Sequence, residues 1–328
     1  MPLLVSIFFG FVPMFLFAGF VYWLDRYEKE PVALLGAAFL WGVLVAGGGA
    51  YLINTVLGMG VYILTGSEGV TEFTTGALIA PVVEESLKGL AVLAVFVLFR
   101  KEFDSVLDGI IYAGITALGF AAIENVHYIY EFGYLDKGWP GLWRLVFIRV
   151  VVVGWQHPFY TAFTGIGLAL ARMNRTILVK LLAGAGGFSV AVFTHAFHNT
   201  FGALIGGPEG LILGTIVDWA GWLFMLAFII WLIAHERNIL KRQLHEEVVS
   251  GLISPAQYRT ALSLSQTRAR LRALNSGGYL TTSRFYQVCG ELAHKKEQLA
   301  KLGDEQGNHA AVQNLRAELA GLAVKASA

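Results

Sequence analysis

Two adjacent carboxylates and an ammonium lie within the apolar stretch from Pro81 to Phe99, where Glu84, Glu85 and Lys88 interrupt an otherwise hydrophobic sequence. Each charged side chain near the centre of a membrane span costs about 3 kcal/mol on insertion scales, so charges at such positions are commonly functional. In a helix, Lys88 would be at i+4 from Glu84 and at i+3 from Glu85, so the three side chains share one face. This arrangement is suited to acid–base chemistry in an apolar environment, or to a buried ion pair that does no chemistry.

Three other apolar stretches carry carboxylates and imidazoles. The residues are Glu124 with Asn125 and His127, then His157, then His195 with His198 and Asn199. Imidazole nitrogens and carboxylate oxygens together are suited to Zn²⁺, which takes three protein ligands and one water in a catalytic site. Such a metal would lower the pKa of its water, and Glu84 or Glu85 would accept the proton. Lys88 would keep one of these carboxylates ionised and oriented, so the residue types predict a hydrolytic site.

The elements that position these residues are predicted to be membrane-spanning helices. Of 328 residues, 56% are apolar and 14% are charged, and the mean hydropathy is +0.61, whereas soluble domains contain about 25% charged residues. Candidate spans of roughly 20 residues lie near 3–24, 33–57, 77–99, 106–130, 147–170, 179–206 and 211–234. The sequence therefore predicts an all-α, polytopic membrane helix bundle of about seven transmembrane helices. Arg149, near the start of the fifth span, is expected to snorkel towards the interface.

The chain is predicted to consist of a membrane-embedded domain at 1–235 and a cytoplasmic helical tail at 236–328. Lysine and arginine are concentrated in alternate loops and in the tail, and such residues mark the cytoplasmic side. We therefore expect a multi-pass protein of the cell membrane with its N-terminus outside and its C-terminus in the cytoplasm. Ser254 and Pro255 predict the start of a tail helix. The tail is expected to lie near anionic lipid or to bind a cytoplasmic partner, no nucleic-acid partner is expected, and the single cysteine, Cys289, excludes an intramolecular disulfide.

The polar residues of four different spans fall at one depth on this assignment, roughly 9–16 Å below the outer surface at a rise of about 1.5 Å per residue. Consecutive spans run in opposite directions, so the shared depth does not follow from spacing along the chain. Asp218 reaches the same depth but has no partner in its own helix, and we expect it to support other residues. His127 is expected near the interface, hydrogen-bonded to water.

Four motifs resemble, in order, those of the PrsW family of intramembrane proteases. They are EESLK (Glu84 to Lys88), FAAIEN (Phe120 to Asn125), HPFYTAFTGIG (His157 to Gly167) and HAFHN (His195 to Asn199). The resemblance covers about residues 1–235 and does not include the tail. The PrsW family is in turn similar to the CAAX prenyl endopeptidase superfamily. From that superfamily's pattern this sequence departs at Lys88, which replaces an arginine at a different spacing, and at Glu124, which replaces a histidine.

The resemblance implies a membrane-embedded, metal-dependent endopeptidase. Members of the family cleave anti-sigma factors in bacterial stress signalling. The expected substrate is therefore a single-pass membrane protein that enters from the lipid bilayer and is cut near the extracytoplasmic side. The expected metal is Zn²⁺, with ligands drawn from Glu124, His157, His195 and His198. Glu85 or Glu84 is expected to act as general base beside Lys88. Asn125 and Asn199 are expected to support the ligands by hydrogen bonds.

Two other classes of protein fit part of the pattern. A di-metal or metal-transport protein would use the Glu124-x-x-His127 spacing, which di-iron bundles contain twice, but the predicted spans hold no second Glu-x-x-His. A non-enzymatic scaffold or receptor would use the same residues as an interhelical hydrogen-bond network. The peptidase is expected to bind about one zinc ion, the di-metal protein two redox metals, and the scaffold no tightly held metal. Glu85→Gln should abolish the activity of the peptidase and leave the function of the scaffold unchanged.

Overall fold

Helices form all of the regular structure in the computed structural model, which describes residues 1–205, 207–263, 265–275, 277–304 and 307–326. The prediction of an all-α membrane bundle is confirmed. The α-helices are α1 Pro2–Leu24, α2 Val32–Trp41, α3 Gly48–Thr65, α4 Glu68–Phe73, α5 Ala80–Leu98, α6 Val106–His127, α7 Asp136–Val146, α8 Gln156–Arg172, α9 Ile177–Ile205, α10 Gly207–Gln243, α11 His245–Val249, α12 Pro255–Ala261, α13 Ser265–Leu274, α14 Tyr279–Leu302 and α15 Asn308–Ala323. Four π-helical segments join or extend them within the described residues: Gly42–Gly47, Thr74–Ile79, Tyr128–Leu135 and Phe147–Val152.

Five helical stretches among the described residues are long and apolar enough to cross a membrane. They are Pro2–Leu24, Val32–Thr65, Val106–Arg172, Ile177–Phe201 and Ile212–Val249. The chain is therefore a multi-pass membrane protein, but the predicted number of seven spans is not confirmed. The predicted fourth and fifth spans both fall within Val106–Arg172, which is interrupted at Gly138, with a non-helical φ of 64°, and at residues 153–155. Helix α5, the predicted third span, carries three charged side chains that lower its hydropathy. Residue 206, at the end of the predicted sixth span, lies outside the described residues.

The chain divides into two compact units. The first contains Met1–Tyr22, Pro31–Arg172 and Thr176–Phe228, and the second contains Trp23–Glu30, Met173–Arg175 and Ile229–Ala328. All of the predicted site residues belong to the first unit. The predicted boundary at residue 235 between a membrane domain and a tail stays a prediction.

Helix α6 is buried along nearly its whole length. It begins with a capping box, in which Ser105 Oγ accepts a hydrogen bond from the Asp108 amide (3.2 Å) and Asp108 Oδ2 accepts one from the Ser105 amide (2.6 Å). A helix that is apolar on all sides is typical of the centre of a bundle, and α2, α5 and α8 pack against it. Glu124 lies near the C-terminal end of α6, so this helix carries a carboxylate into the interior of the first unit.

Two glycines allow α6 and α8 to approach closely. A Cβ atom on Gly165 would lie 2.0 Å from the carbonyl oxygen of Gly109, and a Cβ atom on Gly109 would lie 2.3 Å from that of Gly165. Small residues at helix crossings permit such backbone contact in membrane proteins. The crossing sets the separation of the two helices that carry Glu124 and His157.

Replacing Gly165 by alanine is expected to destabilise the protein by about 1–3 kcal/mol, the usual cost of overpacking, because the added methyl group meets the backbone of α6. Gly186→Ala in α9 is the matched control, since a Cβ atom there has no neighbour within 4 Å. Thermal unfolding in mild detergent measures the difference. Equal melting temperatures for the two variants would contradict the close crossing.

The second unit has an apolar core of its own, in which the fully buried side chains include Leu240, Phe285, Tyr286 and Leu292. Helix α12 begins at Pro255 directly after Ser254, whose Oγ accepts a hydrogen bond from the Gln257 amide at 3.2 Å. The predicted helix start is therefore confirmed. Cys289 is buried in the same core, and this burial raises the pKa of its thiol. A raised pKa disfavours the reactive thiolate, so the cysteine contributes to the packing of the core.

Candidate active site

Four helices bring carboxylates, imidazoles and an ammonium together inside the first unit. They are α5 with Glu84, Glu85 and Lys88, α6 with Glu124, α8 with His157, and α9 with His195. Of these side chains only that of Glu124 is more than slightly exposed, at 18%. Burying polar groups is costly unless they contact one another, so the contacts within this group decide what each residue can do.

Glu84, His157 and His195 form a group that has the composition of a metal site. One ligand atom from each residue lies within 4.8 Å of the others, and all three residues are buried. Glu84 Oε2 has no hydrogen-bond partner among the described residues, and it lies 3.8 Å from His195 Nε2 and 3.9 Å from Lys88 Nζ. A buried carboxylate oxygen without a hydrogen bond is unfavourable, and a divalent cation between this oxygen and the imidazoles would satisfy it. One carboxylate and two imidazoles are a donor set that suits Zn²⁺.

Glu85 orients His195. The Glu85 side chain is 0% exposed, and its Oε1 lies 2.9 Å from His195 Nδ1 and 2.5 Å from Lys88 Nζ. Thr161 Oγ1 donates to the other oxygen at 2.8 Å. An ionised carboxylate only accepts hydrogen bonds, so Nδ1 of His195 carries the proton and Nε2 keeps its lone pair, facing Glu84. A carboxylate that fixes the tautomer of a histidine in this way is a common second partner of metal ligands.

His157 lies between a cation and an anion. Lys88 Nζ is 3.2 Å from its Nδ1, and Glu124 Oε2 is 2.8 Å from its Nε2. An ammonium has only donors, so Nδ1 accepts from Lys88 and Nε2 donates to Glu124. Metal binding by His157 would replace one of these two hydrogen bonds. Arg149 forms a short contact with the same oxygen of Glu124.

The structure does not bring the other predicted residues into this group. His198 was expected among the metal ligands, but its ring lies 3.1 Å from Gln156 Nε2 and 3.1 Å from Asp218 Oδ2. Glu124 was also expected among the metal ligands, but it lies next to the group, where its Oε2 is hydrogen-bonded to His157 Nε2. Asn125 Oδ1 accepts a hydrogen bond from Arg149 Nε at 2.9 Å, and Asn199 Nδ2 donates to the carbonyl oxygen of Gly76 at 2.8 Å. These two amides therefore contact neighbours of the site rather than the ligands themselves.

His127 is also outside the group. Its ring packs edge-to-face against Tyr51, Tyr128 and Phe132, with centroids 5.5 to 5.8 Å apart. It lines a cavity next to Glu84 and Glu124. The Glu124-x-x-His127 pair thus does not form a second metal site in the described residues.

Three residues of the site were not foreseen. Thr161 donates to Glu85, Tyr160 stacks on the His195 ring at a centroid distance of 4.8 Å, and Arg149 contacts Glu124 and Asn125. Tyr160 and Thr161 follow His157 by three and four residues on α8, and this helical spacing places them on its face. Arg149 was expected to snorkel, but its side chain is only 15% exposed and reaches the site instead.

The fold and site define a polytopic helical membrane protein with a buried group of one glutamate and two histidines. The sequence pattern of the PrsW family of intramembrane metalloproteases matches residues 30–233. This chain belongs to that family.

Curated relatives carry the same family name. Protease PrsW of Geobacillus kaustophilus is 32% identical over 120 residues, which are 37% of this chain and 50% of that protein. Protease PrsW of Clostridioides difficile is 36% identical over 108 residues, or 33% of this chain and 43% of that protein. Protease PrsW of Bacillus subtilis is 26% identical over 165 residues, or 50% of this chain and 68% of that protein. The chain thus spans about half the length of the first two relatives, and no solved structure matches it significantly.

Proposed function

We propose that this protein hydrolyses a peptide bond of a membrane-spanning protein, and that Glu84, His157 and His195 hold a divalent metal for this reaction. The observation that carries the proposal is the buried Oε2 of Glu84, which accepts no hydrogen bond from the described residues and lies beside Nε2 of His195. A divalent metal held there would supply Lewis-acid chemistry, lowering the pKa of water and polarising a carbonyl oxygen. Zn²⁺ is the metal that this donor set favours.

The remaining side chains have supporting roles in this proposal. Glu85 positions His195, and Lys88 neutralises Glu85 and contacts His157. Both oxygens of Glu85 are occupied by these contacts and by Thr161, so Glu85 is a positioning residue rather than the general base that the sequence suggested. Glu124 is the carboxylate beside His157 that reaches the cavity, and we assign to it the acceptance of the proton from water.

The proposed substrate class is a single-pass membrane protein of the anti-sigma-factor kind, cut near the extracytoplasmic side. The support is membership in the PrsW family and the distribution of lysine and arginine along the chain. The same distribution supports an external N-terminus and a cytoplasmic tail. A cytoplasmic partner of the tail belongs to the same proposal.

Sequencing the N-termini of membrane proteins from bacteria that express this chain tests the proposal. We expect new protein N-termini near the outer ends of single spans with the wild type and none with Glu84→Gln. Cleavage of such a substrate by the purified full chain should stop when a chelator is added and resume with Zn²⁺. Cleavage that continues in the chelator would contradict the metal assignment, and identical peptide ends in both strains would contradict the proteolytic function.

A further inference from the structure

A cavity of about 820 Å³ lies next to the candidate active site. Residues of α3, the Thr74–Ile79 segment, the end of α6 and the Tyr128–Leu135 segment line it. Glu84 and Glu124 form part of its wall, so the cavity reaches the residues to which we assign hydrolysis. Its volume is within the range of ligand pockets, about 300–1,000 Å³.

Four carboxylates line this cavity, whose wall is otherwise mostly apolar. Glu72 and Glu131 line it in addition to Glu84 and Glu124, and the described lining residues include no lysine or arginine. Glu124 is already paired with Arg149, whereas Glu72 and Glu131 are exposed carboxylates with no cationic side chain beside them in this wall. A ligand that complements this wall carries positive charge.

Aromatic rings line the same cavity as these carboxylates. Tyr51, Tyr128 and Phe132 surround the ring of His127, and all four residues line the cavity. The faces of tyrosine and phenylalanine attract ammonium and guanidinium groups, and the Arg149 guanidinium already lies 4.5 Å from the centre of the Tyr128 ring, which leaves Tyr51 and Phe132 for a ligand. Aromatic rings together with carboxylates are therefore suited to a lysine or arginine side chain.

Apart from the proposed metal ligand, two side-chain oxygens of residues that line the cavity are buried without a hydrogen-bond partner among the described residues: Asn54 Oδ1 and Thr75 Oγ1. Such oxygens are unfavourable unless a ligand supplies donors. The backbone N–H groups of an extended polypeptide are donors of this kind, and the tail of a lipid has none.

We propose that this cavity binds the outer flank of the substrate's membrane span and selects substrates with lysine or arginine there, with Glu72 and Glu131 as the selecting residues. The inference rests on the proposed function, because it takes the neighbouring site as the place of cleavage. Exposed ion pairs of this kind each change affinity by about two- to fivefold, so two of them give roughly tenfold.

Binding of synthetic single-span peptides to the full chain, in mild detergent with a chelator, tests the selection apart from cleavage. Three peptides are compared, which differ only in the two residues at the outer flank of the span: both are lysine in the first, glutamine in the second and glutamate in the third. We expect the wild type to bind the lysine peptide roughly tenfold more tightly than the glutamate peptide. The double variant E72K/E131K should reverse this order. Asp136→Lys is the matched control, since this carboxylate is 61% exposed and does not line the cavity.

Three outcomes would overturn the inference. They are equal binding of the three peptides, an unchanged order in the double variant, or the same reversal in Asp136→Lys. A double variant that alters the amount of bound phosphatidylethanolamine and not the choice of peptide would assign the cavity to a lipid headgroup, and would overturn it also. Selective binding by a chain that cleaves no substrate would instead contradict the proposed function, while the selection of flanking charge by the cavity would remain.

Discussion

The His195→Ala variant is expected to lose peptide cleavage by about 10³-fold or more, the size of effect seen when a central catalytic group is removed. His195 is 3% exposed, its Nε2 faces Glu84, and its ring is fixed by Glu85 and stacked on Tyr160. His195 and His157 are the two imidazoles of the buried group that contains Glu84. Cleavage of a single-span reporter in proteoliposomes measures the effect.

His198→Ala is the matched control for this prediction. It removes an imidazole from the same helix one turn away, and the structure places that imidazole against Gln156 and Asp218 rather than in the metal group. We expect cleavage by this variant to fall far less than in His195→Ala, because the hydrogen-bond partners of His198 are Gln156 and Asp218 and not the proposed metal ligands. Equal losses in the two variants would contradict the assignment of His195 as a ligand and His198 as a neighbour.

The Glu85→Gln variant is expected to lose both stability and activity. Removing one partner of a buried ion pair typically costs about 3–5 kcal/mol, because the other charge is left without compensation. Here that charge is Lys88, which is 0% exposed and 2.5 Å from Glu85. The hydrogen bond that orients His195 is lost at the same time, so metal affinity and cleavage should each fall about 10–100-fold.

A double variant separates these two effects. Glu85→Gln with Lys88→Met removes both charges of the closest pair, and part of the lost stability should return because Lys88 is no longer left without Glu85. Metal affinity and cleavage should stay low, since His195 still lacks its carboxylate partner. A double variant that regains stability and metal affinity together would show that Glu85 acts through the fold alone. Thermal unfolding and metal titration in detergent give the two quantities.

Much of the site could be predicted from the sequence because helical spacing is simple. The i,i+3 and i,i+4 spacings on α5 correctly placed Glu84, Glu85 and Lys88 on one face. Charge in an apolar stretch is costly, so these residues were expected to meet other polar groups. The structure brings them to His157 and His195.

The division of roles within the site could not be predicted in the same way. His198 follows His195 by three residues, which turns it about 60° around the helix and moves it about 4.5 Å along the axis. This offset is enough to direct it to Asp218 on α10. Arg149 lies in a π-helical segment, and its contact with Glu124 depends on how that segment packs against α6. Both contacts are tertiary and leave no periodic signal in the sequence.

The number of spans was hard to predict for a related reason. Helix α5 contains the charged residues of the site, so by hydropathy it resembles a span less than its neighbours do. The stretch Val106–Arg172 is interrupted at Gly138, whose φ of 64° and ψ of −153° are not helical, and again at residues 153–155. Charged site residues in the first case and short connections within a mostly helical region in the second make the boundaries of spans hard to predict.

The metal content per chain of the full-length protein, purified in mild detergent, tests the central claim most directly. Wild type, His157→Ala, His195→Ala and His198→Ala should be compared by elemental mass spectrometry. The account predicts about one zinc per chain in the wild type and in His198→Ala, as expected for a site with three protein ligands. It predicts almost none in the other two variants. Zinc retained in His157→Ala and His195→Ala, or no bound metal in the wild type, would contradict the claim.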